Sequence, residues 1–322
     1  MGLHPQVQSL LKMLESRALP PMEQLGVEEA RKAFETSARV MSKAEHKVKT
    51  EDKKIQGYEK EIAIRIYTPE GVKESGVLVY YHGGGWVIGN IETHDALCHT
   101  VAYESGCIVI SVDYGLAPES KFPVPVEDAY IAAKWVSDHS EELGIDKKRI
   151  AVGGDSAGGN LAAAVCYLAQ ERKEFEIAFQ MLLYPSTGFE FTESYEKYGE
   201  GYYLTKGTMA WFRDQYLTNP EDTESPLAAP LLIPEKATKH LPPAYIMTAE
   251  FDPLCDGGEQ FANKLKDAGV EVHYVCYPGM IHGFLGMTEF VAVGKKAVSE
   301  IASELKAKFN ADVRQLNERE NS

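Results

Sequence analysis

The sequence lacks the long apolar run that a membrane span requires. No stretch of its 322 residues approaches the roughly 18 apolar residues of a transmembrane helix. The N-terminal segment also lacks the basic stretch and apolar core of a secretory signal peptide. Its apolar residues Val7, Leu10, Leu11 and Leu14 follow helical spacing instead. We therefore expect no membrane insertion and a cytoplasmic location.

Cysteine and basic residues are also scarce. The five cysteines are odd in number and form no CxxC pair, which argues against a disulfide framework and favours a reducing compartment. Lys and Arg number 33 against 48 Asp and Glu, so the formal net charge is −15. Because this charge repels phosphate backbones and suits neutral substrates, we expect a small neutral substrate and no nucleic-acid partner.

Motifs for nucleotides and metals are missing as well. The three glycines at 83–85 do not complete a G-x-G-x-x-G fingerprint, because position 88 is Ile88, and no P-loop pattern occurs. His94, Cys98 and His99 form the only cluster with metal-like spacing, and no further ligand set accompanies them. We expect neither a cofactor nor a metal.

Short runs rich in β-branched and aromatic residues recur from Glu61 onward and alternate with helical stretches. The runs are EIAIRIY, GVLVYYH, CIVISVD, IAVGG, AFQMLLY, AYIMTAE and EVHYVCY. This alternation predicts an α/β fold, with a mostly parallel sheet flanked by helices, in a single domain over residues 1–322. In such sheets, ligand sites form beyond the carboxyl ends of the strands.

Two segments break the alternation. Residues 1 to about 50 are helix-prone and charged, without a strand signal. Residues 186–232 contain nine aromatic residues, too many for a plain connection. These are Phe189, Phe191, Tyr195, Tyr198, Tyr202, Tyr203, Trp211, Phe212 and Tyr216. The insertion either packs on the sheet as a helical pair or lines an apolar substrate pocket as a cap.

The segment IAVGGDSAGGN places Ser156 in a G-x-S-x-G motif, directly after a predicted strand and before a predicted helix. That context is typical of a nucleophile elbow, in which Gly154 and Gly158 allow strand and helix to approach closely. Upstream, His82 is followed by three glycines whose amides can stabilise an oxyanion. We predict Ser156 as the nucleophile and Gly83, Gly84 and Ala157 as the oxyanion donors.

An activated serine needs a base, and the base needs a carboxylate, in the chain order Ser, acid, His. Asp252 and His282 each follow a predicted strand and fit these roles. Glu250 and Asp256 are competing acids, but Glu250 lies at the strand end and Asp256 opens the next helix. His240 precedes a strand and His273 lies within one, which leaves His282 as the predicted base.

The motifs HGGGW, GDSAGG, DPLCD and IHGF occur in this order and resemble the hormone-sensitive-lipase-like family of α/β-hydrolases, which includes bacterial carboxylesterases. The stretch VDYGLAPE and the insertion ending in SPLAAPL add to the resemblance. The family implies the same triad of Ser156, Asp252 and His282, and a helical cap built from residues 1–50 and 186–232. The resemblance to bacterial carboxylesterases, together with the triad, predicts a serine carboxylesterase that works through an acyl-enzyme. The net charge suits neutral esters, and the aromatic insertion suggests short to medium acyl chains.

The sequence departs from the family pattern at two positions. Gly115 and Cys255 stand where arginine is common, and we expect Cys255 to be a structural thiol. Three alternatives to a carboxylesterase stay open: a small-molecule amidase or deacetylase with the same triad, a lipase, and a non-catalytic ligand receptor. The retained His282 argues against the receptor, because plant gibberellin receptors on this scaffold replace that histidine. A homodimer through an edge strand is a further expectation.

Overall fold

The computed structural model describes residues 2–71 and 75–320. Its strands are β1 Lys49–Gln56, β2 Glu61–Thr68, β3 Ser75–Tyr81, β4 Ile108–Asp113, β5 Ile145–Asp155, β6 Phe179–Leu183, β7 Ala244–Phe251 and β8 Val272–Ile281. They form one eight-stranded sheet in the order β1-β2-β4-β3-β5-β6-β7-β8. β2 pairs antiparallel with β1 and β4, whereas all pairs from β4 to β8 are parallel. The predicted α/β fold with a mostly parallel sheet is confirmed.

The helices are α1 Pro5–Ser16, α2 Val27–Met41, α3 Ile91–Ser105, α4 Val124–Asp138, α5 Ser140–Leu143, α6 Ala157–Arg172, α7 Glu193–Tyr198, α8 Lys206–Tyr216, α9 Glu235–Thr238, α10 Cys255–Asp267 and α11 Ala292–Glu320. Local signals explain several ends. Asn90 and Thr93 form a reciprocal capping box at the start of α3, and Gly106 ends it with a left-handed φ of 70°. Within residues 2–71 and 75–320, no helix is long and apolar enough to cross a membrane.

The core lies on both faces of the sheet. All seven residues of β3 are buried, and its side chains alternate between the faces, as the two-residue period of a strand requires. Val79 packs in one apolar layer with residues of α4 and α6. Leu78 packs in the other, with residues of α3 and α11. This double covering explains why the central strands are continuously apolar.

Strand β1 was not predicted from the sequence. Ile55 is its only buried residue, and most of its other side chains are charged or polar and exposed. An edge strand of this kind has no apolar alternation, because both of its faces are exposed along most of its length. Its register is set instead by the antiparallel pairing with β2, from Lys49 opposite Thr68 to Gln56 opposite Glu61.

The last strand pair contains a register shift that matters for the site. Ala249 lies opposite Tyr277, but Phe251, two residues later, lies opposite Ile281, four residues later. Two extra residues of β8 therefore bulge out of the ladder. Gly279 takes a left-handed φ of 73° in this bulge, and its amide donates to the Glu250 carboxylate at 2.7 Å.

Candidate active site

Ser156 lies at the turn between β5 and α6, as the sequence predicted. Its φ of 56° and ψ of −117° are strained for a residue with a side chain. A Cβ on Gly154 would lie 2.2 Å from the Tyr81 carbonyl oxygen, and one on Gly158 would lie 1.8 Å from the same atom. Both positions therefore require glycine, and the close approach of strand and helix lifts the serine hydroxyl above the sheet.

The structure brings Ser156, His282 and Asp252 together in one hydrogen-bonded chain. The Ser156 hydroxyl lies 2.9 Å from Nε2 of His282, and Nδ1 of His282 lies 2.7 Å from Oδ2 of Asp252. Asp252 is fully buried, and its other oxygen accepts the Leu254 amide at 2.8 Å. The carboxylate can thus hold the imidazole in the tautomer that accepts the serine proton.

The competing acids and histidines lie elsewhere. Glu250 accepts the Gly279 amide in the β8 bulge, and Asp256 accepts the Ser194 amide of the insertion at 2.7 Å. His273 pairs with Glu304 of α11 at 3.0 Å, while His240 follows α9 in the connection before β7. Their contacts serve packing between elements.

One predicted oxyanion donor is corrected. The Gly83 amide donates to Oδ1 of Asp155 at 2.8 Å, and Gly83 does not line the cavity that contains Ser156. Gly84, Gly85 and Ala157 do line it. Among the residues that the structure describes, none accepts their amide protons. The HGGG motif alone does not show which glycine amides face the site. Their direction depends on the backbone conformation, and Gly84 and Gly85 have left-handed φ angles of 117° and 59°.

Asp155 is buried beneath this loop and organises it. Its carboxylate accepts the Tyr80 hydroxyl at 2.7 Å and the Gly83 amide at 2.8 Å, and it lies 3.2 Å from Nε2 of His94. Burial alone would raise the pKa of Asp155, but the charge of the adjacent His94 and the hydrogen bonds from His94, Tyr80 and Gly83 outweigh it and lower the pKa to about 2. These contacts tie Asp155 to the glycine loop and to α3, so its role in the fold is to orient the local loop.

Asp155→Asn is expected to lower the free energy of unfolding by about 2 kcal/mol at neutral pH, because a buried charged acceptor of three hydrogen bonds is lost. The pKa of Asp155 is depressed from 3.8 in the unfolded chain to about 2 in the fold. Its stabilisation is therefore complete above the unfolded pKa and lost as the pH falls through the folded one. Urea unfolding of both proteins at pH 7 and pH 3 measures this. An unchanged midpoint at pH 7 would contradict it.

The predicted metal-like cluster is dispersed. His94 faces Asp155, Cys98 is buried in the core, and His99 pairs with Asp95 at 3.5 Å. Within the described ranges 2–71 and 75–320, no group of three or more potential ligands could hold a metal ion. His82 is also buried beside this network, stacked on Tyr114 with ring centroids 4.4 Å apart. Burial lowers the pKa of His82 to about 3, so it is a neutral structural histidine.

A cavity of about 1070 Å³ opens above Ser156 and His282. Its walls come from the N-terminal arm and from the insertion, which are far apart in sequence. The arm contributes Leu11, Leu14, Leu19, Leu25, Phe34 and Met41, and the insertion contributes Phe189, Tyr203, Leu204 and Phe212. This volume is at the upper end of ordinary small-molecule sites, and it is large enough to enclose both halves of an ester.

The two departures from the family pattern have different surroundings. Gly115 donates its amide to Asp128 at 2.9 Å, and a Cβ there would lie 2.7 Å from the Ser120 hydroxyl. Cys255 begins α10 and lies 3.9 Å from Cys276, sulfur to sulfur. Among the contacts described, the Gly115 amide binds Asp128 and the Cys255 thiol contacts Thr248 and Cys276, so neither group binds a side chain of Ser156, His282 or Asp252.

The fold and the hydrogen-bonded serine, histidine and aspartate define the α/β-hydrolase class. A sequence profile of the alpha/beta hydrolase fold matches residues 78–286. The carboxylic ester hydrolase LipN of Mycobacterium tuberculosis is 42% identical over 263 residues, which cover 80% of this chain and 69% of that protein. An ethyl acetate hydrolase of Pseudomonas putida is 36% identical over 302 residues, or 90% and 94% of the two chains.

Solved structures agree with these sequence matches. A thermostable esterase from Pseudomonas putida has a TM-score of 0.92 at 38% identity, over 95% of this chain and 98% of that one. A hyperthermophilic esterase from Pyrobaculum calidifontis has a TM-score of 0.90 at 41% identity, over 95% and 99%. The chain belongs to the hormone-sensitive-lipase-like family of α/β-hydrolases, and the predicted resemblance is confirmed.

Proposed function

We propose that this protein is a serine carboxylesterase in which Ser156 is the nucleophile, His282 the general base and Asp252 the acid that orients it. The observation that carries the proposal is the continuous hydrogen-bonded chain from the Ser156 hydroxyl through His282 to the buried Asp252. It lies at the floor of a largely apolar cavity. The names of the relatives, which include carboxylic ester hydrolases and an arylesterase, support the same reaction.

Acylation begins when Nε2 of His282 takes the Ser156 proton as the serine oxygen attacks the ester carbonyl carbon. The amides of Gly84, Gly85 and Ala157 stabilise the negative charge that develops on the carbonyl oxygen. The tetrahedral intermediate collapses, and the alcohol leaves with the proton from His282. The acyl group is then bound covalently to Ser156.

Deacylation repeats these steps with water. His282 takes a proton from a water molecule, the hydroxide attacks the acyl carbonyl, and the same amides stabilise the second oxyanion. Ser156 leaves with the proton from His282, and the carboxylic acid is released. Asp252 stabilises the imidazolium each time it forms. No step requires a cofactor.

We infer that the N-terminal arm and the insertion together act as a cap over this site. Both segments supply apolar side chains to the cavity, which suits the acyl and alcohol groups of short- to medium-chain esters. The charged residues among its lining are mainly acidic, with Glu15, Glu23 and Glu29 from the arm. Carboxylates at the cavity disfavour anionic substrates, which supports neutral esters. A homodimer and a cytoplasmic location stay predictions.

A series of p-nitrophenyl esters from acetate to palmitate tests the proposed substrate class. We expect kcat/KM to be highest between acetate and octanoate and to fall toward palmitate, because a cavity of about 1070 Å³ limits the length of acyl chain that it can hold. The rate should not rise as the substrate exceeds its solubility. If kcat/KM were highest for palmitate and the rate rose above the solubility limit of the substrate, the protein would be a lipase. Hydrolysis of aryl amides without turnover of any ester would indicate an amidase.

A further inference from the structure

Cys255 and Cys276 form a contact between two segments that carry the proposed active site. Cys255 is the first residue of α10, three positions after Asp252, and Cys276 lies on β8, six positions before His282. Their sulfur atoms are 3.9 Å apart. Thr248 of β7 is the register partner of Cys276, and its hydroxyl lies 3.7 Å from the Cys255 sulfur. The contact thus joins the β7–α10 turn to β8.

This pair differs from the other three cysteines in accessibility and reactivity. Cys98, Cys107 and Cys166 are buried, whereas Cys255 and Cys276 are partly exposed. Burial raises the pKa of the Cys98 and Cys166 thiols well above its ordinary value. Hydrogen bonding from Cys255 instead lowers the pKa of Cys276 to about 7. Since the thiolate is the attacking species, Cys276 is the reactive cysteine of the chain.

We propose that Cys255 and Cys276 are a redox-active dithiol that small-molecule disulfides convert to a protein disulfide, and that this modification slows turnover at the neighbouring site. The Cys276 thiolate attacks one sulfur of a disulfide such as oxidised glutathione, and one glutathione leaves as its thiol. Cys255 then loses its proton and attacks the sulfur of Cys276, which releases the second glutathione. Two protein thiols are oxidised, and one small-molecule disulfide is reduced to two thiols.

Closing the disulfide moves the segment that holds Asp252. The two sulfurs must approach from 3.9 Å to about 2.05 Å, the length of the bond. The Cys255 amide donates to the Asp252 carbonyl at 3.0 Å, and the Leu254 amide donates to the Asp252 carboxylate at 2.8 Å. A pull on the first turn of α10 therefore reaches the carboxylate that orients His282. The effect on activity rests on the proposed function, whereas formation of the disulfide does not.

The experiment treats the purified full chain with oxidised glutathione near pH 7.5. Titratable thiols under denaturing conditions should fall from the five of the sequence to three, and non-reducing peptide mapping should find Cys255 linked to Cys276. The kcat for p-nitrophenyl butyrate should fall by roughly tenfold, as expected for a small misplacement of a catalytic group, with little change in KM. Dithiothreitol should restore both thiols and activity.

Single variants separate the steps. Cys276→Ser should keep its basal activity and lose no thiols to oxidised glutathione, and Cys255→Ser should stop at a glutathione adduct on Cys276. Cys166→Ser is the matched control and should respond like the wild type. Five persisting thiols, or a link between other cysteines, would overturn the proposal. A Cys255–Cys276 disulfide with full activity would also overturn it. Because thiol counts do not depend on esterase turnover, failure of the proposed function would be recognised separately.

Discussion

Ser156→Ala is expected to lower kcat for ester hydrolysis by about 10⁴-fold or more. Without the hydroxyl, no acyl-enzyme forms, and His282 and the oxyanion amides can only assist a direct attack by water. The main-chain contacts of Ser156 do not involve its side chain; its amide, for example, donates a hydrogen bond to the Leu183 carbonyl oxygen at 2.9 Å. Initial rates with p-nitrophenyl butyrate at saturating substrate measure the effect.

Ser186→Ala is the matched control, because Ser186 lines the same cavity. Its activity should stay near that of the wild type. The midpoint of thermal unfolding of Ser156→Ala should also change little, because alanine is as strained as serine at a φ of 56°. If Ser156→Ala retained most of the esterase activity in a folded protein, Ser156 would not be the nucleophile.

Asp252→Asn is expected to lower kcat by about 10³- to 10⁴-fold, with a smaller effect on KM. The amide can still contact His282, but it favours the wrong tautomer, and it cannot stabilise the imidazolium that forms in each transition state. Asp252 is fully buried, so no water replaces the lost charge. Steady-state assays with the same ester measure kcat and KM, and circular dichroism checks that the variant is folded.

Two neighbouring acids provide controls for this assignment. Asp256→Asn removes a carboxylate that accepts the Ser194 amide, and Glu250→Gln changes one that accepts the Gly279 amide. Both variants should keep kcat within about tenfold of the wild type, because the hydrogen bonds described for the His282 ring are to Asp252 and Ser156. If Asp256→Asn lost as much activity as Asp252→Asn, the assignment of Asp252 as the acid of the triad would be wrong.

The fold was predictable where burial leaves a pattern in the sequence. Strands β3 and β4 are apolar along their length because helices cover both faces, and the alternating helices identified the parallel sheet. The exposed strand β1 was not predicted, because its mostly charged residues show no alternation of apolar and polar positions. Its place depends on hydrogen bonds to β2, which are main-chain contacts and independent of side-chain type.

The site was predictable to the level of residues but not of individual atoms. Motif order and position after strands selected Ser156, Asp252 and His282, and the structure places them within hydrogen-bonding distance. The Gly83 amide was assigned to the oxyanion hole, yet it donates to Asp155, which lies at the same end of the neighbouring parallel strand β5. The approach of Cys255 to Cys276 is also a contact between distant segments, and no spacing rule predicts it.

The bulge in β8 shows that the number of residues in a strand, and not only their identity, can matter for the site. The two extra residues between Tyr277 and Ile281 leave the ladder, so Ile281 still lies opposite Phe251 and His282 follows directly. Within the bulge, the Gly279 amide donates to the carboxylate of Glu250, two residues before Asp252. The bulge thus ties the strand end that carries the base to the strand end that carries the acid, and a deletion of two residues there would remove this tie while leaving every catalytic residue present in the sequence.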